Sequence, residues 1–101
     1  MAFHDEGRRL RALASDPDVL ILIPPEGPRG HARQRMRERR ISRTTVERIL
    51  KAGAVIEVER PLRGEERWKA QGTDADGNII HVVVIPRETE IEIEVVTVFE
   101  P

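Results

Sequence analysis

From Ala54 to Phe99 the chain repeats one pattern four times: a short stretch with strand periodicity or β-branched residues, then a turn. Ala54 to Glu59 is the first stretch, ending before Pro61 and the Arg63-Gly64 turn. Glu66 to Gln71 alternates, which sets Trp68 and Ala70 on one face and Arg67, Lys69 and Gln71 on the other. Asp74 to Gly77 is a turn, with Asp76-Gly77 as its strongest hairpin signal. Ile79 to Ile85 is apolar on both faces, as a central strand requires, and only His81 interrupts it. Pro86 to Thr89 turns the chain again. In the last strand Ile91, Ile93, Val95, Thr97 and Phe99 fall on one face, with Glu92 and Glu94 on the other. Connections this short favour an antiparallel meander, with helices covering one side.

The helices precede it. Residues 1–16 read as a short amphipathic helix with Leu10, Ala12, Leu13 and Ala14 as its apolar part, broken by Asp16-Pro17-Asp18. Val19 to Ile23 is a short β-branched run, hence a strand, and Pro24 to Gly30 is a linker. His31 to Arg40 has helical composition, with Ala32 and Met36 as a narrow apolar stripe. Ile41 packs inward. Ser42 reads as the N-cap of a further helix whose apolar face is Val46, Ile49 and Leu50. Gly53 is then expected to stop that helix in the left-handed conformation. The fold class expected is α+β: two helices packed on a four-stranded antiparallel sheet, with an extra N-terminal helix and short strand. Residues 1–101 read as one domain, with 1–30 an extension and linker and 31–101 the core.

Without cysteine, neither a disulfide framework nor a thiolate metal site can form. No apolar run approaches the roughly 20 residues of a membrane span, so a soluble cytoplasmic protein with no membrane partner is the expectation. The formal net charge is −1, yet nine Lys and Arg against Glu38 and Glu47 lie between Arg29 and Lys51. Between Pro86 and Pro101 the balance reverses: Arg87 faces Glu88, Glu90, Glu92, Glu94 and Glu100. A basic segment on a neutral chain suits a local anionic partner, or else simply solvates a helix face.

The run His31-Ala32-x-x-Arg35-Met36-x-x-Arg39-x-Ile41-Ser42, then Val46 and Gly53, resembles the opening of a bacterial family catalogued as domain of unknown function 4258. Ile80-His81-Val82-Val83-Val84 and Val96-Thr97-Val98-Phe99-Glu100-Pro101 agree with its second half. Two helices followed by a four-stranded antiparallel sheet is similar to the architecture of RelE-like and BrnT-like ribonuclease toxins. That likeness implies a toxin-antitoxin ribonuclease with an active site on the open sheet face, and it is analogy at the level of fold.

Metal-independent RNA cleavage needs a base for the 2′-hydroxyl, an acid for the leaving 5′-oxygen and a cation for the phosphorane. His31 and His81 are the candidate acid and base, since imidazole titrates near neutrality. Arg35, Arg39, Arg67 and Lys69 are the candidate phosphate contacts, and Thr97 is a possible support. Each has a plainer reading: His31 as a helix start, His81 as a hydrogen-bonded core histidine, Arg35 and Arg39 as braces, Thr97 as packing. No metal is implied: Asp74-x-Asp76-Gly77-Asn78 lacks the distal Glu of a calcium loop, and His-x-x-x-His is missing. Without a Walker or paired-glycine loop, no cofactor is expected. With two Phe, one Trp and no Tyr, extended base stacking is disfavoured. The leading expectation is a toxin-type endoribonuclease with RNA as substrate and an antitoxin protein as partner. Its rivals are a non-catalytic module that binds nucleic acid or protein, and a structural homodimer pairing through the last strand.

Overall fold

The computed structural model describes residues 3–25 and 31–101. In chain order the elements are α1 (His4–Ser15), β1 (Leu20–Leu22), α2 (Ala32–Arg39), α3 (Arg43–Ala52), β2 (Ala54–Glu59), β3 (Arg67–Thr73), β4 (Ile79–Arg87), the single-turn helix η1 (Glu88–Glu90) and β5 (Glu92–Phe99). Of the expected helix over 1–16, the first two residues lie outside the described ones, as do residues 26–30 of the linker. The fold class is α+β, as the periodicities indicate.

The strands form a five-stranded sheet in the order β1-β5-β4-β3-β2. β2 through β5 pair antiparallel, and β1 joins the far edge parallel to β5, with Leu20 opposite Glu92 and Leu22 opposite Glu94. The short N-terminal strand is therefore part of the sheet, and β5 lies inside it. Along Glu92–Glu94 the outer edge of the sheet is therefore β1 and not the last strand.

All three helices contribute to one apolar layer on one sheet face. Leu10 and Ala14 of α1, Ala32 of α2, and Val46, Ile49 and Leu50 of α3 meet Trp68, Ala70, Ile80, Val82, Val84, Ile93, Val95 and Val98. Each fully buried Val, Leu or Ile here contributes about 1.5–3 kcal/mol relative to exposure. Ile41 is buried between the helices, as its position predicts. Trp68 is wholly buried, with the Arg9 guanidinium 5.0 Å from its ring centre, and its Nε1 has no hydrogen-bond partner. That unmade bond costs about 1–3 kcal/mol against the large area the ring buries.

Ser42 caps α3, its hydroxyl accepting from the Thr45 amide at 3.1 Å. Gly53 ends the helix differently from expectation, at φ −76° and ψ 174°, in extended backbone. A Cβ there would stand 2.5 Å from the Gln71 carbonyl oxygen and 2.6 Å from that of Ile49. Close approach of β3, and not a positive φ, is the reason for glycine.

Register shifts in β2 and β5 depart from strict alternation: β2 shifts between Val55, in the core, and Glu57, on the opposite face. β5 bulges between the pairs Val83–Thr97 and Val84–Val95, leaving Val96 as an extra residue. Ile93, Val95 and Val98 consequently point into the core, while Thr97 and Phe99 turn to the opposite face with Glu92 and Glu94. β4 also runs on through Pro86, paired with Ile93, before turning at Glu88. By then the last β3 pair, Trp68–Val84, has been passed, and an edge tolerates a residue without N–H.

Candidate functional site

The sheet face opposite the helices carries the polar chemistry. Its rows follow from register: Glu59 opposite Arg67; Glu57–Lys69–Val83–Thr97; and Gln71–His81–Phe99. A pocket of about 270 Å³ opens there, lined by Glu57, Glu59, Arg67, Lys69, Val83, Val96, Thr97 and Phe99. The β5 bulge places Thr97 and Phe99 in this lining.

Lys69 is its centre. Its ammonium donates to a Glu57 carboxylate oxygen at 2.8 Å and lies 5.5 Å from the centre of the Phe99 ring. The hydrogen bond from Lys69, and then its charge, hold the Glu57 carboxyl below the usual glutamate value. Glu59 forms no hydrogen bond or ion pair with the described residues.

His81 lies at the same level but beneath the surface, 9% exposed. Its Nε2 is 2.9 Å from the Gln71 side-chain oxygen, and the Phe99 ring meets it edge-on with centroids 5.3 Å apart. If Nε2 donates to Gln71, Nδ1 keeps the lone pair, and that atom is buried without a partner. Burial first, and then the charge of Lys69, push the imidazole below its ordinary 6.5, with Glu57 opposing.

Of the residues singled out from sequence, Arg67, Lys69, His81 and Thr97 share this face. His31, Arg35 and Arg39 are placed elsewhere. His31 is the exposed residue before α2, with no side-chain capping bond, and α2 belongs to the layer on the other side of the sheet. Arg35 is exposed and 3.6 Å from Glu38. Arg39 is exposed in the last turn of α2. Sequence reasoning missed Glu57, Glu59 and Phe99. The run Ile56-Glu57-Val58-Glu59 shows that the first two share a face, each opposite a base of β3, but the register shift after Val55 puts that face on the open side; Phe99 was hidden by the β5 bulge.

Charge divides the same way. The open face carries Arg67, Lys69 and Arg87 together with Glu57, Glu59, Glu92 and Glu94, so it is not a basic surface. Arg87 is held by Glu65 at 2.7 Å, Glu92 at 2.7 Å and Glu94 at 2.8 Å, which raises its pKa further. The basic surface is α2, where Arg33, Arg35, Arg37 and Arg39 are exposed within eight residues. Among the described residues no group of three or more His, Asp or Glu is arranged to hold a metal ion. No helix among them is long and apolar enough to cross a membrane.

No curated protein and no solved structure matches the chain significantly. The family model for Domain of unknown function (DUF4258) does match, over residues 29–100, taking in every element from α2 to β5 and leaving α1 and β1 outside. With that span covered, the chain belongs to the DUF4258 family.

Proposed function

We propose that this chain is a metal-independent endoribonuclease of the bacterial toxin type, acting on RNA at the open face of the sheet. One observation carries the reading: a carboxylate, an ammonium, a guanidinium, a hydroxyl and an aromatic ring line one uncovered pocket, at Glu57, Lys69, Arg67, Thr97 and Phe99. The order α2-α3-β2-β3-β4-β5 supports the likeness to RelE-like and BrnT-like toxins at the level of fold.

In this reading Glu57 accepts the proton of the 2′-hydroxyl as the 2′-oxygen bonds to phosphorus. Lys69 gives a proton to the 5′-oxygen as the P–O5′ bond breaks. Arg67 offers its fork to the non-bridging oxygens, Thr97 donates a hydrogen bond, and Phe99 supports one base. His81 acts as a positioning residue, because its ring nitrogens are turned to Gln71 and to the interior and its ring backs Phe99. His31 stands outside this site.

The test is cleavage of a mixed-sequence RNA in EDTA by the full chain and by Glu57→Gln, Lys69→Met, His81→Ala and His31→Ala. The expected result is cleavage ending in a 2′,3′-cyclic phosphate, lost in the first two variants by about 100-fold or more and kept in His31→Ala. A rate flat through neutral pH, falling only in acid, supports Glu57; a rise centred near the imidazole value, lost in His31→Ala, returns the role to histidine. Intact RNA at high protein concentration overturns the reading.

A second reading is favoured by the arginines of α2 together with the burial of His81. It makes the chain a non-catalytic module whose helical surface holds nucleic acid or an acidic protein. It predicts strongly salt-dependent RNA binding that Arg35→Ala and Arg39→Ala weaken, without any cleavage.

A further inference from the structure

The turn between β4 and β5 sets a bulky side chain in an unfavourable conformation. Ile91 has φ 54° and ψ 50°, the left-handed region. A β-branched residue there is a genuine outlier, disfavoured by about 1–2 kcal/mol, where glycine or asparagine is the usual occupant. Burial does not offset this, because Ile91 is 47% exposed.

Its neighbour repeats the pattern. Leu20, the first residue of β1, donates its N–H to the Ile91 carbonyl at 3.1 Å and is itself 55% exposed. Leu22 follows on the same face and is half-buried. Strain and apolar exposure thus coincide at one end of the sheet. The simplest physical account is a surface kept apolar for something that covers it.

The rim says what chemistry that is. Asp16, Asp18, Glu88 and Glu90 are exposed around the patch, and Glu92 and Glu94 stand opposite Leu20 and Leu22 in register. Among the described residues, only Arg9, on Glu88, and Arg87, on Glu90, Glu92 and Glu94, form ion pairs with these acids. An apolar centre in an acidic rim complements a basic, apolar segment. We propose that Leu20, Leu22 and Ile91 form the docking surface for a partner protein, which seats an apolar side chain there and sets lysines or arginines against Glu88, Glu90 and Asp18. This holds whether or not the open face cleaves RNA; along the outer edge of β1, Arg33 and Arg43 are turned to the Ile23 and Ile21 carbonyls.

The probe is a soluble lysine-leucine amphipathic helical peptide, titrated into the isotope-labelled full chain and followed by amide NMR shifts. Shifts clustered at Leu20, Leu22, Ile91 and Glu88 are expected, with no response to the same peptide carrying glutamate for lysine. Leu20→Ser and Ile91→Gly should each weaken binding by about fivefold or more, the effect of removing an anchor residue. Ile91→Gly should also raise Tm, since glycine relieves the left-handed strain, so lost binding cannot be mistaken for unfolding. Shifts elsewhere, no shifts, equal binding of the glutamate peptide, or unchanged affinity in Ile91→Gly would each overturn the proposal. So would self-association of the wild type that Ile91→Gly abolishes, which would make the occupant a second copy.

Discussion

The Arg33 guanidinium donates to the main-chain carbonyl of Ile23 at 2.6 Å, tying α2 to the end of β1. Arg43, at the start of α3, does the same to the carbonyl of Ile21. In a parallel pair alternate residues direct both backbone groups to one neighbour, so Ile21 and Ile23 point away from β5. Two arginine side chains therefore occupy the acceptors that would otherwise invite another strand.

Removing that cover should open the edge. The double variant Arg33→Ala/Arg43→Ala is expected to self-associate at concentrations where the wild type does not, seen by light scattering. A monodisperse variant would show that the short length of β1 alone protects the edge.

Gly53→Ala should be severe for its size. The new Cβ has main-chain oxygens on two sides, from Gln71 and Ile49, and neither can move without disturbing α3 or β3. A loss of about 2–3 kcal/mol is expected in urea unfolding. A loss below about 0.5 kcal/mol, the range of an ordinary surface change, would mean that the β3 approach yields easily.

His81 should make stability depend on pH. Its folded pKa lies below the unfolded value of about 6.5, so between the two the unfolded chain binds more protons. The associated stability is present above the unfolded value and is lost as pH falls through the folded one. Gln71, Lys69, Glu57 and Phe99 surround the ring, and Lys69 opposes a second positive charge. Thermal unfolding of wild type and His81→Gln between neutral and mildly acidic pH should diverge, with the variant flatter. Parallel curves would assign the dependence to other groups.

Arg87→Met tests the acidic cage. Arg87 is 16% exposed, and the substitution leaves Glu94, 13% exposed, and Glu92 without their cation. A loss of about 3 kcal/mol is expected at neutral pH. The gap should narrow in acid, where protonated carboxyls no longer need the guanidinium. An equal loss at both pH values would point to packing of the arginine stem instead.

What the sequence made legible follows from how local each cause is. Ser42, Val46, Ile49 and Leu50 declare α3 through a cap and one apolar stripe, and Trp68 and Ala70 against Arg67 and Lys69 declare the faces of β3. Other features rest on partners remote in sequence. Nothing in Leu20-Ile21-Leu22 tells that they pair parallel to β5. Gly53 signals a helix end, but the contact that requires it is with Gln71. The candidate site was half visible: Arg67, Lys69, His81 and Thr97 share a face, whereas the i, i+4, i+8 series His31, Arg35 and Arg39 fixes a stripe on a helix and not the side of the sheet that helix takes.

The bulge at Val96 gives β5 two inside–outside codes joined in one strand. Pairing that residue in ordinary alternation would carry the first code to the end of the strand, sending Val98 to solvent and driving Thr97 and Phe99 under the helices. The pocket depends on this counting as much as on the identity of the residues that line it.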